Sequence, residues 1–215
     1  MQETTAREQI LKKIRLANMD KIINEYSDVD LKSNIYTPLT DGLDITFAKE
    51  LNQLDGHFVY CENREELYTN ISRLFKSNKI SKVHIKDASI TDLLANLDIE
   101  IADGEERAEN IKISVTLCEA LVARLGSVMI SSKQDSGRQL NFIPDIHVVI
   151  AHREQIVETV KEALELIVEK YDGNLPSMTT LISGPSRTAD IEKTLVLGAH
   201  GPRSLIVFLT EENIL

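Results

Sequence analysis

Cysteine is scarce in this chain, and its scarcity excludes two kinds of metal site. The 215 residues include two cysteines, Cys61 and Cys118, which are far apart in the sequence and form no Cys-x-x-Cys pair. A structural zinc site and a four-cysteine iron–sulfur cluster each need more ligands at closer spacing than these. We therefore predict two buried, reduced thiols and no metal site.

The sequence also lacks the signatures of several large enzyme classes. It contains no Gly-x-Gly-x-x-Gly stretch, no Walker-type loop and no Gly-x-Ser-x-Gly elbow. Dinucleotide-binding, P-loop and serine hydrolase functions therefore have no support, and no cofactor is predicted. The formal net charge of −10 argues against nucleic-acid binding, because neutralising phosphates requires clustered Lys and Arg.

Long apolar segments are absent as well. No run of about eighteen apolar residues occurs, and the opening stretch MQETTAREQILKK carries charges where a signal peptide would be apolar. The composition, 42% hydrophobic and 27% charged, is typical of a soluble globular protein. We expect a cytoplasmic protein without membrane insertion.

The length fits one sizeable α/β domain with an N-terminal extension. Thr5-Ala6-Arg7-Glu8 matches a capping box, and an apolar stripe at helical spacing continues to Ala17. Residues 24–40 follow neither the helical nor the strand period and are interpreted as a connector. The predicted organisation is an N-terminal helix and connector at 1–40, followed by an α/β domain at 41–215.

From Ile45 onward, helical and strand-like patterns alternate, which predicts an α/β fold with a mainly parallel sheet flanked by helices. The longest helical pattern runs from Arg153 to Tyr171, and a shorter one covers 117–125. The apolar run Ser204–Leu209 predicts a buried strand. The other expected strands lie at 56–60, 82–85, 111–115 and 143–150.

The most informative stretch is 180–203, TLISGPSRTADIEKTLVLGAHGPR. A β-prone run stops at Gly184-Pro185 and a helical pattern begins at Ile191, which predicts strand, tight turn and helix. The free amides and the dipole of a helix start attract small anions, and Arg187 adds a guanidinium. The predicted ligand-binding residues of this turn are Ser183, Gly184, Ser186, Arg187 and Thr188.

A structural interpretation of the same turn stays open. Asp190 and Glu192 also favour a helix start and would compete with a bound anion, so that Arg187 would simply pair with Asp190. Structural turns and ligand-binding turns look alike at this level, and the residues alone do not separate them.

Two further segments are weighed as parts of a site. Gly126 and Ser127 form a turn where the backbone could approach a ligand. Ser131–Arg138 is polar and is interpreted as a hairpin loop in preference to a substrate lid.

The histidines are predicted to be structural. His57 and His84 lie inside strand-like runs without a partner at metal-ligand spacing. His147 and His152, at spacing i and i+5, would point to opposite faces of an extended segment, so joint metal ligation is not expected.

The segment SGPSRTADIE followed by LVLGAHGPRSLIVFL resembles the C-terminal signature of the lactate-utilization protein C family, also called the LUD domain. A weaker resemblance extends over the whole chain. It implies a fold similar to the ribose-5-phosphate isomerase and CoA-transferase group. It also implies a role with iron–sulfur partner proteins in oxidising L-lactate to pyruvate, and it supplies no established catalytic residue.

The chain departs from the family at one motif. An acidic residue followed by Thr-Gly-Thr or Thr-Gly-Ser is typical of the family, whereas this chain has Ala123-Arg124-Leu125-Gly126-Ser127. If that acid and threonine act in the family's chemistry, this member has lost both, and the sequence leaves open whether it is itself catalytic.

The sequence is compatible with two candidate functions. The first is an accessory or catalytic component of an L-lactate oxidising system that binds a small carboxylate; as an accessory component it would be the non-redox subunit. The second is a stand-alone binding protein or enzyme for a small anionic metabolite such as a sugar phosphate or an acyl-CoA, which rests on the implied fold group.

Overall fold

The computed structural model describes residues 5–19, 30, 33, 35–103, 111–191, 194–197, 201–211 and 213, with the backbone alone at 188–191 and 194–197. The chain divides into two compact units, Met1–Pro38 and Leu39–Leu215. The first unit contains helix α1 (Ala6–Met19). Its predicted capping box is confirmed, because Thr5 N donates to Glu8 Oε2 at 2.9 Å and Glu8 N donates to Thr5 Oγ1 at 3.3 Å.

Helices and strands alternate through much of the second unit, as predicted. The helices are α2 (Leu43–Gln53), α3 (Arg64–Ser77), α4 (Ala88–Leu94), α5 (Gln139–Phe142) and α6 (Val160–Lys170). The strands are β1 (His57–Cys61), β2 (Lys82–His84), β3 (Glu100–Ala102), β4 (Ile113–Leu117), β5 (Ala120–Val122), β6 (Ser127–Ser131), β7 (Ile146–His152), β8 (Ile156–Val157), β9 (Thr179–Ile182), β10 (Arg187–Ile191), β11 (Thr194–Leu197) and β12 (Ser204–Thr210).

The central sheet is six-stranded and parallel, with the order β1-β12-β7-β4-β2-β3. This confirms the predicted parallel α/β fold. The buried strand predicted at Ser204–Leu209 is also confirmed, since β12 lies between β1 and β7 and Leu205 through Leu209 are buried. Continuous apolar runs of this kind suit a strand that is covered on both faces.

The sequence did not predict the second sheet, which is four-stranded with the order β8-β5-β6-β9. The helix expected at 117–125 was wrong, because this stretch forms the end of β4, then β5, then a 3-10 turn at Ala123–Leu125. Strand β5 pairs antiparallel with β6, and Glu119 N donates to Met129 O at 2.8 Å. Short apolar runs fit a strand or a buried helix equally well, and pairing with β6 decided this one.

The helix expected after Asp190 was also wrong. Strands β10 and β11 form an antiparallel hairpin in which Arg187 lies opposite Leu197 and Thr188 opposite Val196. The long helix expected at 153–171 is shorter than predicted. A 3-10 turn at Arg153–Gln155 and strand β8 precede it, and α6 begins only after Thr159, whose side chain accepts from Glu162 N at 3.3 Å.

The core lies on both faces of the central sheet. Along β7, Val148 and Ile150 face a cluster covered by α3 and α4, whereas Val149 and Ala151 face a cluster shared with α2 and the smaller sheet. Helix α6 covers the far side of the smaller sheet through Ala163 and Ile167. This layering leaves the ends of the central strands as the place for polar side chains.

Candidate functional site

A cavity of about 390 Å³ lies at the carboxyl ends of β4, β7 and β12. These ends lie side by side, because Leu117 of β4 is opposite Ile150 of β7 and His152 of β7 is opposite Thr210 of β12. All four of these residues line the cavity. Ligands of open α/β sheets bind outside the carboxyl ends of the strands, so this is the expected place for a functional site.

The remaining wall of the cavity is polar. It includes residues 133–136 of the loop after β6, Gln155 after β7, and Lys170 and Tyr171 at the end of α6. The sequence interpretation of this loop as a hairpin was wrong. Strands β6 and β7 belong to different sheets, and the loop leads into α5 and contributes Lys133 and Ser136 to the cavity.

A buried carboxylate, Glu119, forms hydrogen bonds with two residues of this wall, Lys170 and Tyr171. The side chain of Glu119 is 1% exposed and accepts three hydrogen bonds. Its donors are Ser131 Oγ at 2.5 Å, Tyr171 Oη at 2.7 Å and Lys170 Nζ at 2.8 Å. A carboxylate removed from water is stable only when charge and hydrogen bonds compensate it, and here they do.

The same bonds set the ionisation of the pair. Burial pushes the pKa of Glu119 upward, but the hydrogen bonds from Lys170, Ser131 and Tyr171 outweigh it and hold the pKa below its ordinary value. Burial likewise acts to lower the pKa of Lys170, and the bond to Glu119 outweighs it and raises that pKa. The two groups therefore form a charged pair at neutral pH.

Lys133 lies against the same tyrosine. Its ammonium nitrogen is 4.5 Å from the centre of the Tyr171 ring and donates to Asn174 O, while Lys170 Nζ is 5.4 Å from that ring. Within the described part of the chain, Lys133 pairs with no carboxylate. Two ammonium groups thus lie around one ring, and Glu119 neutralises one of them.

His152 and Cys118 complete the cavity at the end of β7 and β4. Burial lowers the pKa of His152, so its ring is predominantly neutral at pH 7 and can accept a proton. Gln155 links the two residues, because its Oε1 accepts from His152 N at 3.0 Å and its Nε2 donates to Cys118 O at 2.7 Å. Burial raises the pKa of Cys118, so its sulfur stays a protonated thiol and is a poor nucleophile.

The turn predicted to bind a ligand lies elsewhere, against the end of α2. Gly184 has a φ of +80°, and a Cβ there would lie 2.6 Å from Leu54 O. Ser186 N donates to Pro202 O at 2.8 Å. Arg187 pairs with Asp55 at 2.7 Å. The turn leads into strand β10 and not into a helix, so the dipole on which the anion prediction partly rested is absent there.

The second predicted segment, Gly126-Ser127, contacts the turn at Ser183–Thr188. Ser127 Oγ lies 2.7 Å from Ser183 Oγ, and Gly126 packs on the backbone of α2. The structure therefore brings Gly126, Ser127, Ser183 and Gly184 together around α2. The side chain of Thr188 lies outside the described residues, and ligand binding at this turn stays a prediction.

Sequence reasoning missed the cavity residues Lys133, Lys170 and Tyr171, and also Glu119, which forms hydrogen bonds with the last two. One signal was available, because Glu119 is a lone carboxylate between the apolar runs of SVTLCEALVARL, and a charge inside an apolar run is a candidate for a buried functional group. Lys133 lies in the loop after β6, and Lys170 and Tyr171 lie at the end of α6, so nothing local relates them to Glu119.

The other three histidines that the structure describes do not line the cavity. His147 is buried, and its Nε2 is 2.8 Å from Thr116 Oγ1. His84 is also buried, with Nδ1 3.3 Å from Ile113 O, and His57 is exposed on β1. Among the residues that the structure describes, no group of three His, Cys, Asp or Glu side chains is placed to hold a metal ion. The described helices include none with the length and apolar character needed to cross a bilayer.

Comparison with known proteins identifies relatives of this fold. A family model described as the LUD domain matches residues 46–210. A protein named lactate utilization protein C from Bacillus licheniformis is 36% identical over 119 residues, covering 53% of this chain and 50% of the relative. Its namesake from Bacillus subtilis (strain 168) is 35% identical over 115 residues, covering 51% and 48%. The chain thus spans about half the length of the curated relatives it matches.

A solved structure has the same fold. The crystal structure of a DUF162 family protein from Deinococcus radiodurans aligns with a TM-score of 0.61 at 22% identity, covering 78% of this chain and 96% of that one. At 22% identity, this match is evidence for a shared fold only.

Proposed function

Because this chain belongs to the LUD domain family, we propose that it acts in lactate utilization, as a component of a system that oxidises L-lactate to pyruvate. The relatives named lactate utilization protein C support this role. The observation that carries it is the cavity at the carboxyl edge of the central sheet, where Lys133 offers an ammonium group to a carboxylate.

Oxidation of L-lactate breaks the O–H and C–H bonds at C2, forms a C=O bond, and releases two electrons and two protons. His152 lines the cavity and, being neutral, can accept the hydroxyl proton. The two buried thiols, Cys61 and Cys118, are too few to hold an iron–sulfur cluster. We therefore assign the two electrons to iron–sulfur partner proteins, the proton from C2 to solvent, and the binding of the hydroxy acid to this chain, as a non-redox subunit.

We place the protein in the cytoplasm. Its free cysteines fit a reducing compartment, in which thiols stay unpaired.

The proposal is tested by purifying the chain from native cells and identifying what accompanies it. We expect iron–sulfur proteins in the complex, and L-lactate-dependent reduction of an artificial electron acceptor that requires this chain. Reduction at an unchanged rate when the chain is omitted would contradict the proposal.

The cavity volume also favours a second candidate. Cavities of roughly 300 to 1,000 Å³ hold ligands larger than a three-carbon acid, and this one measures about 390 Å³. A stand-alone binding protein or enzyme for a sugar phosphate fits that volume, whereas an acyl-CoA would enter the cavity only in part. Calorimetric titration with ribose 5-phosphate, acetyl-CoA and L-lactate separates the candidates by which ligand binds.

A further inference from the structure

We propose that Lys133 is the anion receptor of the cavity, and that Glu119 positions Tyr171 against it. The inference deepens the proposed function, on which it rests for the identity of the anion. It rests on the different charge balance of two lysines that line one cavity and lie against one aromatic ring.

The positive charge of Lys170 is already compensated by the carboxylate of Glu119. Its ammonium nitrogen lies 2.8 Å from Glu119 Oε2, and that carboxylate is nearly inaccessible to water. A charged hydrogen bond to a buried partner is stronger than one to a solvated partner. An anion that recruited Lys170 would have to share the ammonium with Glu119 and would meet its negative charge at short range. Lys170 therefore contributes little net charge to a ligand.

Among the residues that the structure describes, Lys133 has no such carboxylate partner. Its ammonium group donates to a main-chain carbonyl, Asn174 O, and lies 4.5 Å from the Tyr171 ring centre. Neither contact neutralises its charge, and an ammonium has three donors, of which the carbonyl takes one. Lys133 thus keeps a full positive charge and free donors at the cavity wall.

Tyr171 connects the two lysines. Its hydroxyl donates to Glu119 Oε1 at 2.7 Å, which fixes the plane of the ring against which Lys133 lies. Ser131 anchors the same carboxylate oxygen at 2.5 Å and immediately precedes the loop that carries Lys133. Glu119 is therefore a positioning residue, because it acts on the ligand through Tyr171 and not by contact.

The acidic residues of the cavity limit which anion is accepted. Asp87 and Asp135 also line it. Asp87 Oδ1 is engaged by Ser89 N at 3.1 Å and Ser89 Oγ at 2.6 Å, and Asp135 is exposed. Lys133 is exposed like Asp135. With one uncompensated ammonium and two carboxylates among the described wall residues, the cavity tolerates no more than a single small anionic group held against Lys133, as in a 2-hydroxy acid.

The test uses the two lysines as matched variants. L-lactate and, separately, inorganic phosphate are titrated by calorimetry at low ionic strength into wild type, Lys133→Ala, Lys170→Ala and Lys133→Arg. We expect Lys133→Ala to weaken binding roughly ten- to a hundred-fold and Lys170→Ala less than about threefold. We expect Lys133→Arg to retain most of the affinity. Thermal melts of each variant report folding.

Each outcome of these titrations either supports or contradicts the inference. Equal losses in the two alanine variants, a larger loss in Lys170→Ala, or no anion binding by wild type would overturn the inference. Lys133-dependent binding of phosphate without binding of L-lactate would uphold Lys133 as the receptor and contradict the role in lactate utilization. Binding of L-lactate that depends on Lys133 supports both.

Discussion

The hydroxyl oxygens of Ser127 and Ser183 lie 2.7 Å apart and join two segments that are distant in the sequence. Each serine adjoins a glycine with positive φ, Gly126 at +54° and Gly184 at +80°, and both glycines pack on the last turn of α2. The pair therefore marks a close junction between the smaller sheet and α2, where the absence of Cβ atoms allows backbone contact.

We predict that Gly126→Ala destabilises the protein by about 3 kcal/mol or more. The new Cβ would lie 2.5 Å from the carbonyl carbon of Glu50, and alanine resists the left-handed conformation. Gly137→Ala is the control, since its φ is +59° but no atom lies within 4 Å of the added Cβ. It should cost about 1 to 2 kcal/mol. Urea unfolding of both variants measures the difference, and equal losses would contradict the packing argument.

Arg187→Ala tests the anion site predicted at the Ser183–Thr188 turn. Arg187 and Asp55 form a partly exposed ion pair, with side-chain exposures of 33% and 68%. Such a pair contributes no more than about 1 kcal/mol, so we expect a small shift in melting temperature and an unchanged affinity for L-lactate. A ten- to hundred-fold loss of affinity would instead place the ligand at this turn. Asp55→Asn is the matched control for the ion pair.

We expect Glu119→Gln to lower stability by about 1 to 3 kcal/mol at pH 7, because it weakens three hydrogen bonds to a buried carboxylate. The pKa of Glu119 is depressed in the folded protein. Its stabilisation is therefore present above the ordinary glutamate pKa of 4.5 and is lost as the pH falls through the folded value. The gap between wild-type and variant unfolding free energies should narrow below about pH 4.5; a constant gap would contradict the pairing.

We predict that His147 makes the free energy of unfolding depend on pH in a range above the one in which Glu119 titrates. Burial lowers its pKa from 6.5 to about 3, so between these values the unfolded chain binds a proton that the folded protein excludes. Stability therefore falls as the pH drops from 6.5 toward 3. From pH 7 to pH 5 the loss should be about 2 kcal/mol greater in wild type than in His147→Gln. Denaturant unfolding at the two pH values checks this, and parallel losses would show that His147 titrates normally.

The sequence predicted the elements whose apolar patterns were long and unambiguous. The run Leu205–Leu209 is continuous and β-prone, and it forms the buried strand that its composition indicates. The two helices that were predicted incorrectly contain short apolar runs, at 120–122 and 194–197. There the helical and strand periods fit equally well, and pairing with a distant partner decided the outcome.

The cavity could not be predicted from local patterns. Lys133, Lys170 and Glu119 come from a loop, a helix end and a strand entry, and only the packing of the smaller sheet against α6 brings them together. The turn at Ser183–Thr188 attracted the prediction because its glycine and proline are visible in the sequence. Its role in packing on Leu54 depends on tertiary contacts that the sequence does not display.

The central position of β12 constrains how this chain is made. On the ribosome, residues 57–61 emerge long before residues 204–210, yet the sheet neighbour of β1 is β12, and β12 also separates β1 from β7. Until that late segment leaves the exit tunnel, the apolar edge of β7 and the whole of β1 lack their partner. Contacts between such distant segments form slowly, and unpaired edges invite aggregation. A nascent chain of this protein should therefore depend on chaperones until residues 204–210 have left the exit tunnel.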